Sequence, residues 1–192
     1  MATPKTIGSA EIRAAIERMS AAISSRHPAG KPLLILGIAN GGVELARRLA
    51  RHLQKGSPAL VPHAACGVLD ISFHRDDIGR HPIPKEFAPT HIPGDVQGAT
   101  IILVDDVLFS GRTVKAALNE LFDHGRPAKV ELAILVDRGG RLLPVAADYF
   151  GLTVAAGPDE RVVVTLDSAE SKRDAVCVLP KPKTKIRSRN ST

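Results

Sequence analysis

The chain has no tryptophan, one tyrosine (Tyr149) and five phenylalanines among its 192 residues. At 3% aromatics, recognition of single-stranded nucleic acid by stacking is disfavoured, because that mode needs an aromatic face for successive bases. Cysteine is almost as scarce: Cys66 and Cys177 stand far apart. They form no disulfide framework, no Cys/His grouping has zinc spacing, and apolar surroundings for both suit packing in a reducing cytosol. No apolar run approaches the ~18–20 residues of a membrane span. The start, Met1-Ala2-Thr3-Pro4-Lys5, carries no apolar export segment. These gaps predict a cytoplasmic protein with no membrane attachment. No Ser/His/Asp or Cys/His constellation suggests a covalent nucleophile, and no internal repeat is present.

What remains is a composition that can bury a core, with 44% hydrophobic and 24% charged residues. The length suits one domain, or one domain with an appendage. The net charge of +6 is unevenly placed, since Lys181 to Arg189 holds five cations and no acid. The expected organisation is a nearly neutral domain over 1–180 and a basic, disordered tail over 181–192. An electrostatic arm for nucleic acid is the alternative for that tail.

One stretch organises the rest. Ile101-Ile102-Leu103-Val104 reads as a strand buried on both faces, as in a parallel sheet. Asp105 and Asp106 sit where that strand should end. A loop with Ser110, Gly111 and Thr113 follows, and then Val114, Ala117, Leu118, Leu121 and Phe122 recur at helical spacing up to a stop at Gly125. Ligands of open α/β sheets bind beyond the carboxyl ends of strands. Free N–H groups at a helix start suit an anion, Gly111 lets the backbone approach closely, and Ser110 and Thr113 add hydroxyls. Carboxylates suit ligand hydroxyls or a hard divalent cation. A ligand satisfying both halves carries a sugar diol, a nearby phosphate and Mg²⁺. An ordinary βα turn and a receiver-type domain, which also gathers Asp at strand ends, are the competing readings. Neither accounts for Ser-Gly-Arg-Thr at the helix start.

Elsewhere, residues 1–10 read as flexible, with Ser9 or Ser20 as caps. Ile12, Ala15, Ile16, Met19 and Ile23 form a helical stripe. Leu33 to Ile38 is a second buried strand, followed by Ala39-Asn40-Gly41-Gly42 and a helix over Val43 to Ala50. Adjacent glycines there permit close approach of amides to phosphate, and a tight turn packing helix on sheet is the other reading. Gly67 to Asp77 alternates around a third strand. Ile78 to Gly98 is rich in Pro, Gly and His without periodicity, which predicts a lid. The histidines His74, His81 and His91 are irregularly spaced and read as surface residues. Lys129 to Asp137 is a fourth strand. Short strands near Asp148–Gly151, Val162–Asp167 and Ala175–Leu179 suggest a small hood.

The Asp105–Val114 stretch resembles the 5-phosphoribosyl-1-pyrophosphate (PRPP) signature of type I phosphoribosyltransferases. With Val136-Asp137-Arg138-Gly139 and Asp148-Tyr149-Phe150-Gly151, it is most similar to the PyrR family, pyrimidine-operon regulators that are also uracil phosphoribosyltransferases. The resemblance spans roughly 33 to 180. It implies an α/β, type I phosphoribosyltransferase fold: a central, mainly parallel sheet flanked by helices, with a small hood and a flexible lid loop. It implies the reaction of uracil with PRPP to UMP and pyrophosphate, with Mg²⁺ as cofactor, in a dimer or tetramer that also binds pyrimidine-operon mRNA. By the same resemblance, Asp105 and Asp106 are catalytic, facing the ribose hydroxyls and, indirectly, the metal. Val107, Leu108, Phe109, Ser110, Gly111, Arg112 and Thr113 wrap the 5-phosphate. Ala39, Asn40, Gly41 and Arg75 face pyrophosphate, Arg138 and Arg141 belong to an RNA surface, and Asp167 reaches toward metal. The loop at 39–40 departs from the family in lacking a basic side chain, and Gly140, Leu142 and Ala146 depart from its RNA surface. Two alternatives follow: a catalytically weak sensor of UMP or PRPP, and a transferase for another base.

Overall fold

The computed structural model describes residues 6–27, 33–58, 66–74 and 89–182. Its elements, in chain order, are β1 (Thr6–Gly8), α1 (Ser9–Arg26), β2 (Leu33–Ile38), α2 (Gly42–Gly56), β3 (Cys66–Leu69), β4 (Thr100–Leu108), α3 (Arg112–Asp123), β5 (Lys129–Asp137), β6 (Tyr149–Thr153), β7 (Glu160–Thr165) and β8 (Ala175–Pro180). Strands β3-β2-β4-β5-β6 form one sheet in that order, and every pairing in it is parallel. Such a sheet needs cover on both faces, which is why all six residues of β2 are buried. Ile12, Ala15, Ile16, Met19 and Ile23 line the buried side of α1, which packs with α2. Right-handed crossovers place α2 and α3 on opposite faces, because β2 leads outward to β3 whereas β4 leads the other way to β5. The chain therefore reverses direction between β2 and β4, and this is where an open α/β sheet forms its ligand crevice.

A second sheet, β1-β8-β7, is antiparallel and forms the hood. Arg48 of α2 ties the core to it, donating to Glu44 (3.0 Å), to the Asp167 carbonyl (2.7 Å) and to both oxygens of the buried Asp174. Among the described residues, no helix is long and apolar enough to cross a membrane.

Several expectations need correction. Thr6–Gly8, expected to be flexible, is a strand, because Ile7 is buried and the stretch pairs with Ala175–Cys177. Neither serine caps α1: the capping position is Gly8, without a side-chain bond, and the Ser20 hydroxyl donates to the Ile16 carbonyl inside the helix (2.9 Å). Helix α2 continues past Ala50 to Gly56, with Leu53 still buried. Strand β6 joins the core sheet beside β5 rather than the hood. Of the lid expected over 78–98, residues 78–88, including His81, lie outside the described residues, as do residues 75–77 with Arg75 at the lid entrance. The stretch from 89 is anchored: His91 exchanges two backbone hydrogen bonds with Val68 (2.8 and 2.9 Å), and Val96 is buried. Residues 183–192 also lie outside the described residues, and Lys181 is still bonded to the hood through Asp159 and Pro158.

Candidate active site

Strand β4 does not stop before its acids. It runs through them to Leu108, since β5 continues alongside, pairing Asp105 with Ile134 and Leu108 with Asp137. Successive strand residues project to opposite faces, so the two carboxyls have different surroundings. Asp105 is only 6% exposed, and its Oδ1 accepts the Asp106 N–H (3.0 Å). Asp106 borders the crevice. Because Gly37 pairs with Val104, the chain leaving β2 passes directly beside this pair. A methyl on Gly41 would lie 2.5 Å from the Asp106 carboxylate. Asp106, Asn40, Gly41 and Glu44 share a cavity of about 290 Å³ with hood residues Val164, Thr165 and Leu166. The lining includes Asp106 and not Asp105. Ala39 is fixed by its N–H bond to the Leu69 carbonyl (3.0 Å), and the Ala39–Asn40 peptide is cis.

Burial raises the carboxyl of Asp105 well above its ordinary value, and the neighbouring Asp106 charge adds to the effect. Burial raises Asp106 too, against the opposing hydrogen bond from the Val107 N–H. Two adjoining acids that resist ionising together fit hydroxyl donors or a cation close by. As a donor set of hard oxygens, they suit Mg²⁺.

On the other side of the crevice, Gly111 has φ +91° and leads into α3, which starts at Arg112 with no side-chain cap. The first N–H groups of such a helix are open to an anion. The Arg112 N–H has a long bond to Ser110 Oγ (3.3 Å), Phe109 is partly exposed and Thr113 is exposed. Gly111 has a further role: its backbone is left-handed and a Cβ there would meet Leu143 and Val145 at 3.1–3.3 Å, so the turn itself calls for glycine. Val107 and Leu108 are strand residues paired with Val136 and Asp137.

The structure turns Arg138 and Arg141 inward. Arg141 donates to the carbonyls of Val145 (3.1 Å), Leu108 and Phe109 (both 3.2 Å) and to Asp137 (2.5 Å). It clamps the 109–113 loop, whose Ser110 carbonyl also accepts the N–H groups of Leu142 and Leu143. Arg138 lies over the Phe109 ring, 4.0 Å from its centroid, and donates to Ala156 and Gly157 carbonyls. Asp167 spends one oxygen on the N–H groups of Ala169 and Glu170. It lines a different cavity, of about 330 Å³, beside Arg13, Arg48, Arg51 and Lys172. Sequence reasoning missed Glu44 and the hood wall of the crevice. The Glu44–Arg48 spacing of four was a readable sign that this turn of α2 carries ordered charge.

The phosphoribosyl transferase domain family matches residues 8–169. Relatives named Bifunctional protein PyrR include that of Roseiflexus sp., 43% identical over 170 residues, covering 88% of this chain and 91% of the relative. That of Streptomyces coelicolor is 45% identical over 173 residues, covering 90% and 87%. Among solved structures, the hypoxanthine phosphoribosyltransferase of Trypanosoma cruzi superposes with a TM-score of 0.64 at 20% identity, over 91% of this chain and 95% of that one. A hypoxanthine-guanine phosphoribosyltransferase from Bacillus anthracis gives 0.65 at 20% identity, over 90% and 95%. At that identity the superposition establishes the type I phosphoribosyltransferase fold and nothing further.

Proposed function

The chain belongs to the PyrR family of phosphoribosyltransferases, and we propose that it converts uracil and PRPP to UMP and pyrophosphate and regulates pyrimidine biosynthesis genes by binding their RNA in response to nucleotide. The observation that carries the catalytic half is the crevice itself: Asp106 faces Gly41 across the β2–β4 reversal, with the uncapped start of α3 after the same strand.

In this reading the 5-phosphate sits on the amides of Phe109 to Thr113, where the helix dipole favours its charge. Asp105 and Asp106 hold the ribose hydroxyls and stabilise positive charge developing at the sugar. Ala39, Asn40, Gly41 and Arg75 face the pyrophosphate. As the bond from ribose C1 to the pyrophosphate oxygen loosens, uracil N1 enters from the opposite face and gives up its proton to the departing pyrophosphate or to solvent, so no covalent enzyme nucleophile is needed. The chain supplies position and fixed charge. Asp105 and Asp106 would hold Mg²⁺, which would supply positive charge to offset that of the leaving pyrophosphate. Arg141 positions the phosphate loop. The folded domain over 1–180, the basic tail, cytoplasmic location and a homo-oligomer belong to the same reading.

The test is initial-rate formation of UMP from uracil, PRPP and Mg²⁺, with hypoxanthine as control base. Uracil-specific turnover is expected. Equal or greater use of hypoxanthine refutes the base assignment. The 39–41 loop, with no basic side chain, favours a second reading, a nucleotide sensor with little catalysis. That reading predicts UMP and PRPP binding without turnover, and a UMP-enhanced, salt-dependent shift of leader RNA.

A further inference from the structure

We propose that His74, Glu120 and Asp123 form a binding site for a divalent transition metal of the zinc class, separate from the active-site crevice. The irregular spacing of the histidines hides this site in the sequence. His74 stands in the turn after β3, its N–H bonded to the Ile71 carbonyl (3.0 Å). Glu120 and Asp123 are three apart on α3 and so share a face. Folding brings one ligand atom from each within 4.8 Å of the others.

The two separations from His74 fit a coordination shell. His74 Nε2 lies 3.1 Å from Glu120 Oε2 and 3.3 Å from Asp123 Oδ2. A tetrahedral ion with bonds of about 2.0–2.1 Å puts its ligands about 3.3 Å apart. A single imidazole nitrogen faces two carboxylates, and one N–H points along only one line, whereas a cation between the three satisfies all of them.

The surroundings of Glu120 are a second, independent observation. Its other oxygen, Oε1, accepts the Thr90 hydroxyl (2.7 Å) and faces His124 Nε2 (3.1 Å). Thr90 is itself oriented by the Asp70 N–H (3.0 Å). Outer partners thus fix one oxygen of the carboxylate and leave Oε2 directed at His74, the arrangement that orients a metal-ligating carboxylate. Glu120 and His74 are mostly shielded, at 14% and 25% side-chain exposure, while Asp123 is 69% exposed. That open edge admits the ion and leaves room for a water as fourth ligand. One imidazole with two carboxylates suits Zn²⁺ or Co²⁺ better than Mg²⁺, which prefers an all-oxygen, largely hydrated shell. The bound ion joins the turn after β3 to α3, beside the segment that carries Thr90.

The test is titration of the full-length protein with Co²⁺ in excess Mg²⁺, read by visible d–d absorption and followed by displacement with Zn²⁺. One Co²⁺ per chain is expected. His74→Ala and Asp123→Asn should each remove the band, and Thr90→Val should weaken binding by about tenfold. Asp123 is a largely exposed position, so its variant reports on ligation even if His74→Ala perturbs folding. Asp105→Asn with Asp106→Asn should leave the band intact, which separates this site from the crevice and from the proposed activity. Absence of the band in the unmodified chain, or its persistence at full intensity in either ligand variant, overturns the proposal.

Discussion

Two adjacent glycines separate the function of the crevice from the stability of the fold. In Gly41→Ala the new methyl would lie 2.5–2.6 Å from the Asp106 carboxylate. An ordinary van der Waals contact needs about 3.5 Å, so that carboxylate must swing away by about 1 Å. The backbone at Gly41 is right-handed, φ −65° and ψ −37°, and alanine adopts it without strain. The substitution should therefore leave the melting temperature unchanged or raise it slightly, by the ~0.4–1 kcal/mol of reduced unfolded-state entropy. A misplacement of about 1 Å at a positioning group costs about 10²-fold in rate, equivalent to about 2.7 kcal/mol of barrier. In Gly42→Ala the methyl would lie 1.9 Å from the Val104 carbonyl oxygen. Here the obstacle is the backbone of β4, so α2 must lift off the sheet. We expect a loss of about 3 kcal/mol or more, lowering the melting temperature by about 6–12 °C for a chain of this size. The assay pairs circular-dichroism melts with initial rates of UMP formation. Wild-type kcat/KM in Gly41→Ala, or equal destabilisation by both substitutions, would refute the reasoning.

Asp105→Asn combined with Asp106→Asn should abolish PRPP-dependent turnover with native circular dichroism retained, and normal turnover would show that the acids are not the ribose site. Glu131 is buried; burial works against its charge, but hydrogen bonds from Lys129, Tyr149 and His27 outweigh it and hold its carboxyl below the ordinary 4.5. That contribution is present above 4.5 and lost as pH falls through the depressed folded value. Glu131→Gln should therefore cost about 1.5–3 kcal/mol at neutral pH, and denaturant titrations should show the difference shrinking as the pH falls below 4.5 and through the depressed folded value. Arg141→Lys keeps the charge but loses the planar fork that reaches three carbonyls and Asp137. It should raise KM for PRPP about tenfold, the effect of one or two lost hydrogen bonds, while an RNA-contact role would instead change the salt dependence of an RNA shift.

The parts legible in the sequence were those whose signal is local. Leu33–Ile38 and Lys129–Asp137 were read with their observed bounds, because runs dominated by aliphatic residues, broken only by Gly37 and Glu131, leave little choice. The stripe of α1 was equally plain. Thr6–Gly8 was not, since a three-residue strand has no periodicity and exists through its partner β8. Acids are rare in strands, so propensity ended β4 at Val104, whereas parallel pairing with β5 carries it to Leu108. Tyr149–Thr153 has the mixed burial of an edge strand, and nothing local says which sheet it edges. The acidic pair and the Ser-Gly-Arg-Thr loop could be read because they are contiguous. The facing of Asp106 to Gly41, the Arg141 clamp and the approach of His74 to α3 all follow from strand order, which a single chain does not display.

The same geometry bears on the missing basic residue at 39–40. Among the described residues lining the crevice, the ionisable ones are Glu44 and Asp106, both acids. Among the described residues, none donates a hydrogen bond to Glu44 Oε2, and Arg47 stands 3.9 Å away. In the proposed reading, a pyrophosphate entering here meets acids on two sides and, Arg75 aside, no basic side chain among the described lining residues, so it is expected to arrive with its own cation. In the same reading, a 5-phosphate alone would rest on the start of α3, away from Glu44, and would have no such need. PRPP affinity should therefore depend steeply on Mg²⁺, and UMP affinity should not. Calorimetry with and without Mg²⁺ reads both. Equal dependence for the two ligands would mean that the pyrophosphate lies elsewhere than against Asn40 and Gly41. Unequal dependence would make the 39–41 loop a workable leaving-group site, held together by the metal in place of a lysine or arginine.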